Sequence, residues 1–252
     1  NSDRAFEEEV MLSGFANAQV KAEGSGVSFD EAQETFTARY THETVALAFA
    51  ITEEAIEDNL YDRLASRYTK ALARSMSNAK QVKAVEPLIN GFGGGFTSGD
   101  GANLFSTSHS TVSGSFQNTL TTQADLNETS LEQSLIDIGQ MTDERGLRVA
   151  ARGLKMIIPS ELQFTAERLM KSQGRTGTAD NDINAIVSMG MVPQGYRVNN
   201  YLTDADAFYI LTDIPNGMKM FTRAPLTTAM EGDFDTGNVR YKARERYSFG
   251  VS

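Results

Sequence analysis

Apolar and polar positions alternate from Thr35 to Ile51. Phe36, Ala38 and Tyr40 share one face; the parity then switches between His42 and Thr44, and Val45, Leu47, Phe49 and Ile51 carry the alternation on. A period of two predicts extended chain, and the switch predicts a bulge or bend. Fully extended, 17 residues at roughly 3.3 Å each would reach about 55 Å, three times an ordinary strand. That length suits a two-stranded ribbon projecting from a body, which is marginal in water unless it lies on another surface. A neighbouring copy of the chain would supply one.

From Thr52 the period becomes helical. Ile56, Leu60, Leu64, Tyr68, Leu72 and Met76 form a ridge at i+4 spacing, with Ala55, Ala65, Ala71 and Ala79 beside it. Thr52 suits an N-cap, Glu53, Glu54, Glu57 and Asp58 the positive end, and Arg74, Lys80 and Lys83 the negative end. The pattern predicts a helix over 52–82, about 46 Å long. Arg63, Arg67, Lys70 and Arg74 make a basic stripe on its other face, which a solvated surface also explains.

Further on, Asn90 to Gly101 is glycine-rich and irregular. Thr129-Ser130-Leu131-Glu132 predicts a capping box before a helix with Leu131, Leu135 and Ile138 inward. Leu154 to Ile158 predicts a short strand stopped by Pro159. Ser160-Glu161-Leu162-Gln163 predicts a second box, before a helix with Leu162, Ala166 and Leu169 inward. Strand-like runs cover 195–200 and 207–212, the turn Pro215-Asn216-Gly217 leads into 218–221, and 238–250 closes the chain. An α+β body with an early ribbon is the fold these elements predict.

Composition narrows the chemistry. Cysteine is absent and histidine limited to His42 and His109, which excludes disulfides, thiolate zinc and thiol nucleophiles and leaves little room for imidazole chemistry. No apolar run approaches the 18 or so residues of a membrane span, so a soluble protein is expected. The start at Asn1, with no apolar leader behind it, suggests a processing site or a missing beginning. Net charge is -10, and residues up to Asp58 hold 13 acids against 3 bases, whereas the rest is balanced. Such asymmetry points to an arm that meets a surface of opposite sign, although solubility alone also explains it.

Arg240, Lys242, Arg244 and Arg246 alternate, placing four cations on one strand face with Tyr241, Ala243 and Tyr247 on the other. They either protect an edge strand or dock an acidic partner. A pI near 4.8 argues against a dedicated nucleic-acid binder. Gly91 to Gly95 lacks the Lys-Ser/Thr of a phosphate loop. Asp180, Asp182 and Asn184 have calcium-loop spacing, but Ala185 and Met191 stand where glycine and glutamate are needed. Ser106, Ser108 and His109 adjoin without a nucleophile elbow. No catalytic residue, cofactor or metal is predicted.

The ordered series of motifs resembles the major capsid proteins of tailed double-stranded DNA bacteriophages, Mu-type head subunits in particular. It comprises Tyr40-Thr41-His42-Glu43-Thr44 before the long helix, Asp100-Gly101-Ala102-Asn103-Leu104-Phe105-Ser106-Thr107-Ser108-His109, and Gly153-Leu154-Lys155-Met156-Ile157-Ile158-Pro159-Ser160-Glu161-Leu162. Then come Tyr201-Leu202-Thr203-Asp204-Ala205-Asp206-Ala207-Phe208-Tyr209-Ile210 and Phe234-Asp235-Thr236-Gly237, which leads into the basic strand and Phe249-Gly250. The resemblance covers nearly the whole chain.

It implies the Hong Kong-type α+β capsid fold: an N-terminal arm over 1–14, an extended loop over 15–50, a peripheral domain over 51–127 with spine helix 52–82, an axial domain over 128–222, and peripheral return strands over 223–252. It also implies pentamers and hexamers closing into an icosahedral virion shell that encloses DNA without reading its sequence, assembled in the host cytoplasm, with scaffolding, portal and decoration proteins as further partners. Family members often carry an N-terminal scaffolding segment and residues beyond the final strand, so the chain's ends at Asn1 and Ser252 depart from the pattern. Candidate contacts between copies are Phe36, Tyr40, Asp30, Glu31 and Glu34 on one side. Arg63, Arg67, Lys70 and Arg74, or Arg240, Lys242, Arg244 and Arg246, stand on the other. A nanocompartment shell enclosing enzyme cargo and, remotely, a small hydrolase are the alternatives.

Overall fold

A computed structural model describes residues 2–58, 61–175 and 182–251, the side chains of 61–64 excepted. In chain order the elements are β1 (Phe6–Leu12), β2 (Glu34–Thr41), β3 (Glu43–Ile51), α1 (Glu53–Glu57), α2 (Tyr61–Ile89), β4 (His109–Thr111), β5 (Gly114–Phe116), α3 (Glu128–Gly139), β6 (Gly153–Ile158), α4 (Gln163–Lys171), α5 (Ala185–Met189), β7 (Tyr196–Val198), β8 (Tyr209–Thr212), β9 (Met218–Gly232) and β10 (Val239–Val251). Two units share them. One comprises residues up to Glu9, Arg39–Pro87 and Met218–Val251; the other comprises Val10–Ala38 and Leu88–Gly217.

The first unit is built on a three-stranded antiparallel sheet with β10 in the centre, β3 on one side and β9 on the other. Leu72 and Met76 of α2 pack against Ala243, Val45 and Phe49 of this sheet. Phe49 stacks on Tyr241 with centroids 5.0 Å apart and meets Tyr68 edge-on at 5.6 Å. The inward ridge read from the sequence is therefore used at Leu72 and Met76; Leu60 lies outside the described residues and Leu64 outside the described side chains. Among the described residues β3 and β9 each pair with β10 alone within this sheet.

The extended chain from Thr35 to Ile51 is two strands rather than one long rod. β2 pairs with β1 in a ribbon, β3 pairs with β10, and the break falls at His42, where the alternation changes parity. His42 is buried: its amide donates to the Ala5 carbonyl at 3.2 Å, and its ring lies between the hydroxyls of Ser2 (2.8 Å) and Ser248 (3.0 Å). A residue pinned on three sides marks where the ladder changes partner. Segment 1–14, expected as a separate arm, supplies β1, the ribbon's first strand.

Thr52 caps the first helical turn as expected, its Oγ1 accepting from the Ala55 amide at 3.4 Å, but α1 closes at Asp58 and α2 begins at Tyr61. The helix also continues past Val82 to Ile89, through Pro87. An internal proline normally ends a helix. Here burial of Val85 and Pro87 outweighs one lost hydrogen bond in the final turn. Lys80 and Lys83 consequently do not complement a helix end; Lys80 binds Glu245 at 2.7 Å and Lys83 binds Glu43. β9 is likewise longer than the predicted 218–221, and Pro225 is tolerated because it sits at the bulge opposite Glu245, where the register shifts.

In the second unit β6 lies between β7, parallel to it, and β8, antiparallel. Leu126, Leu131, Leu135, Met156, Ile158, Ala166, Leu169, Ile186 and Val192 form its core. Neither predicted capping box forms where expected. Asn127, not Thr129, caps α3: its Oδ1 accepts from the Ser130 amide (2.9 Å) while Ser130 Oγ accepts from the Asn127 amide (3.0 Å). Before α4 the Ser160 hydroxyl donates to Glu161 instead, and the helix starts at Gln163 without a side-chain cap. Leu131 is wholly buried, so Leu131→Ala should cost about 2–5 kcal/mol, measured as a lowered urea midpoint.

Candidate inter-subunit surfaces

The alternation of β10 separates two kinds of side chain. On the inner face Ala243 and Tyr247 are buried, and Glu245, 4% exposed, receives Lys80 from α2, whose ammonium also lies 5.0 Å over the Tyr247 ring. On the outer face Arg240, Lys242 and Arg244 are exposed, whereas Arg246 is half-buried and its Nε has no hydrogen-bond partner among the described residues. The register places Ala50, Ala48 and Ala46 of β3 beside these three cations on one flank, and Glu231, Ala229 and Thr227 of β9 on the other. Directly paired residues share a face; with mostly short neighbours, the cations stand clear of the sheet. Arg240 pairs with Asp233. Lys242 and Arg244 form no ion pair among the described residues.

Arg67, Lys70 and Arg74 on α2 are also exposed and without an ion pair among the described residues; the side chain of Arg63 lies outside them. Of the acidic residues, Glu8 binds Arg39 at 2.5 Å and Glu9 binds Lys219 at 2.5 Å. Asp30 Oδ2 accepts from the Ala16 amide at 2.7 Å, a bond that, with Arg145 nearby, holds its carboxyl below the ordinary carboxylate value. Glu31 and Glu34 are exposed and form no ion pair among the described residues.

Phe36 is half-buried beside Gly99. Tyr40 is not available to a neighbour: it is 6% exposed, stacks on Phe221 at 5.2 Å and donates its hydroxyl to the Val251 carbonyl at 3.1 Å. The loop between β1 and β2 is one of the places where large apolar side chains are exposed, Val20 at 100% and Phe29 at 96%.

The residues weighed for other chemistry have structural roles. Asp100 Oδ2 binds His109 Nδ1 at 2.9 Å, and Asp100 also accepts from Ser98 Oγ and the amides of Ala102 and Ser110. Burial pushes the Asp100 carboxyl up, but these hydrogen bonds outweigh it and leave the group below its ordinary value. Among the described residues neither the Ser106 nor the Ser108 hydroxyl bonds His109; Ser106 Oγ accepts the Ser108 amide. Asn184 caps α5 and donates to the Leu169 carbonyl at 2.7 Å. Asp180 lies outside the described residues, which contain no cluster of potential metal ligands. Gly91 to Gly95 forms turns after α2 rather than a strand-to-helix cradle.

Burial, and then the cations Arg246 and Arg223, push the His42 imidazole below its ordinary value of 6.5, against Glu7. The unfolded chain therefore binds a proton near pH 6.5 that the folded chain takes only at lower pH. Stability should fall as pH drops through 6.5 towards the folded value. Urea unfolding between pH 7.5 and 5 reads this slope, and His42→Gln should flatten it.

Two residues that the sequence reading did not single out organise these surfaces. Glu245 shares the inner phase with Tyr241 and Tyr247, so the alternation itself was the signal that it would need a buried cation. Arg145, whose guanidinium binds carbonyls of the loop between β1 and β2, carries no comparable signal.

A family model described as phage capsid protein matches residues 34–251. No curated protein matches the chain. Among solved structures, the capsid of bacteriophage JBD30 aligns at 13% identity over 80% of this chain and 88% of that one, with a TM-score of 0.61. The capsid of Myoviridae phage XM1 aligns at 11% over 98% and 82%, TM-score 0.56. The capsid of an empty GTA particle aligns at 14% over 100% and 82%, TM-score 0.56. At such identities these likenesses establish the tailed-phage α+β capsid fold; the Mu-type affiliation rests on the sequence motifs alone. With the family match running from β2 to β10, the chain belongs to the phage capsid proteins and is a structural major capsid protein of the virion, a self-assembling shell component rather than an enzyme.

Proposed function

We propose that the chain is the repeating subunit of an icosahedral shell, gathered as pentamers and hexamers around the double-stranded DNA of a tailed phage and assembled in the host cytoplasm. The observation that carries this reading is a charge mismatch: Lys242 and Arg244 stand unpaired among the described residues on a sheet face with mostly short neighbours, while Glu31 and Glu34 flank an exposed loop. A second copy satisfies both. Each exposed ion pair contributes only about 0–1 kcal/mol, so the pairs set register, and burial of loop residues such as Val20 and Phe29 supplies most of the affinity. The basic stripe Arg67, Lys70, Arg74 is the second landing surface.

In this assignment the ribbon and its loop are the extended limb, 51–127 with α2 the peripheral domain, 128–222 the axial domain, and 223–252 the return strands. Weak contacts repeated by symmetry let misplaced subunits leave before closure. With a net charge of -10 the shell grips packaged DNA weakly, since phosphate binding scales with neutralising cations. Scaffolding, portal and decoration proteins are further partners in this scheme. Sedimentation and electron microscopy of purified protein test the reading. Closed particles of megadalton mass support it, and nuclease-protected DNA rather than enzyme cargo inside particles from infected cells supports the phage assignment. A small discrete oligomer as the final state overturns it.

A further inference from the structure

The loop between β1 and β2 leaves the ribbon through a closed neck. The Ser13 amide donates to the Gln33 carbonyl at 2.8 Å, the Gln33 amide to Ser13 Oγ at 3.0 Å, and the Ala16 amide to Asp30 Oδ2 at 2.7 Å. Arg145 spans the two sides: Nε donates to the Gly14 carbonyl at 3.1 Å and Nη2 to the Glu31 carbonyl at 2.5 Å, with Asp30 Oδ1 3.8 Å from Nη2. The guanidinium side chain is only 14% exposed. Beyond the neck, residues 17–29 are all exposed, and the internal hydrogen bonds described there form one turn, from Ser25 to Ala22.

Arg145 is itself held in place. Asp143 Oδ1 accepts from the amides of Arg145 (2.9 Å) and Leu147 (2.8 Å), the Asp143 amide donates to the Leu147 carbonyl, and Gly146 takes the left-handed φ of 81° that this turn requires. The Ser113 amide braces the turn through the Glu144 carbonyl at 3.1 Å. A rigid turn thus presents a two-pronged donor to two carbonyls 17 residues apart in sequence.

We infer that Arg145 is a positioning residue for assembly: by closing the neck it fixes where residues 15–30 leave the ribbon towards a neighbouring copy. The role rests on the shell reading above. A loop ordered only on contact would lose affinity to its own ordering, and a preformed neck removes part of that cost. Lysine places one ammonium where two forked donors are needed, so it substitutes only in part.

The test compares wild type, Arg145→Ala and Arg145→Lys in the full chain. The readouts are the lowest subunit concentration that yields particles and the cleavage rate of 15–30 by a dilute protease in unassembled subunits. Arg145→Ala should raise the threshold about tenfold and speed cleavage of the loop, with an unchanged melting temperature of the remainder; Arg145→Lys should fall between. An unchanged threshold, or a raised threshold with unchanged loop cleavage, overturns the role. Hydrogen exchange of the wild-type free subunit provides a check independent of variant folding. Amides of Ala16 and Gln33 exchanging as fast as unstructured chain would also overturn the role. Wild type that makes no particles overturns the shell reading instead, whereas particles from wild type and Arg145→Ala at the same threshold overturn only the role of Arg145.

Discussion

Reversing Arg240, Lys242 and Arg244 to glutamate together should give a folded subunit that makes no closed particles. All three are exposed on the outer face of β10, away from Leu72, Met76 and Ala243. Substitutions at such sites usually change stability by no more than about 0.5 kcal/mol each. Between copies the effect is larger, because the attractions of Lys242 and Arg244 become repulsions at every repeated contact, and Arg240→Glu adds a third repulsion in place of its own pairing with Asp233. Even at about 1 kcal/mol per altered pair the change is on the order of a hundredfold per contact or more. Sedimentation in 0.05 to 0.5 M salt reads it, since exposed charges are screened beyond about 8 Å at physiological ionic strength. Adding Glu31→Lys and Glu34→Lys to the reversed chain should restore particles in part. Normal particles from the triple reversal alone would rule out the pairing.

A large single-site loss of stability should come from Gly250→Ala. A β-carbon there would overlap Cδ1 and Cε1 of the Tyr40 ring, closer than any non-bonded contact allows. The ring has no easy retreat: it is stacked on Phe221, and its hydroxyl donates to the Val251 carbonyl. Moving it forfeits the stack and a buried hydrogen bond in addition to the strain, so the expected cost is about 3–4 kcal/mol. Urea unfolding measures it. Tyr40→Ser removes the obstruction, so Gly250→Ala combined with Tyr40→Ser should cost less than the sum of the two single changes; strict additivity would mean that the ring is not what the new methyl meets.

Period and parity carried much of the fold in the sequence. The ridge through Leu72 and Met76, the inward positions Leu131, Leu135 and Ile138, and the bend near His42 all follow from which residues must leave water together. Boundaries were less legible where a local signal competed with packing. Proline ordinarily interrupts helices and strands, yet Pro87 lies buried in the last turn of α2 and Pro225 at a bulge of an edge strand. Thr129 and Ser160 matched a capping pattern, but Asn127 caps α3 two residues earlier and α4 begins at Gln163 with no side-chain cap.

Of the candidate contacts, the exposure of Arg240, Lys242 and Arg244 could be read from alternation alone. The burial of Tyr40 could not, since it depends on Phe221 and Val251, some 180 and 211 residues away in sequence. Arg145 was invisible for the same reason: its meaning lies in two carbonyl groups contributed by distant chain.

Among the described residues the outer rims of β3 and β9 carry no further strand, and on β9 only the Thr222 carbonyl is met there, by the Ser2 amide. An unassembled subunit therefore carries two sticky borders, which recruit any extended chain with little regard for geometry. Supply and consumption of subunits must keep pace: synthesis that outruns shell closure would divert protein into amorphous stacks, and slow expression at low temperature would favour ordered products.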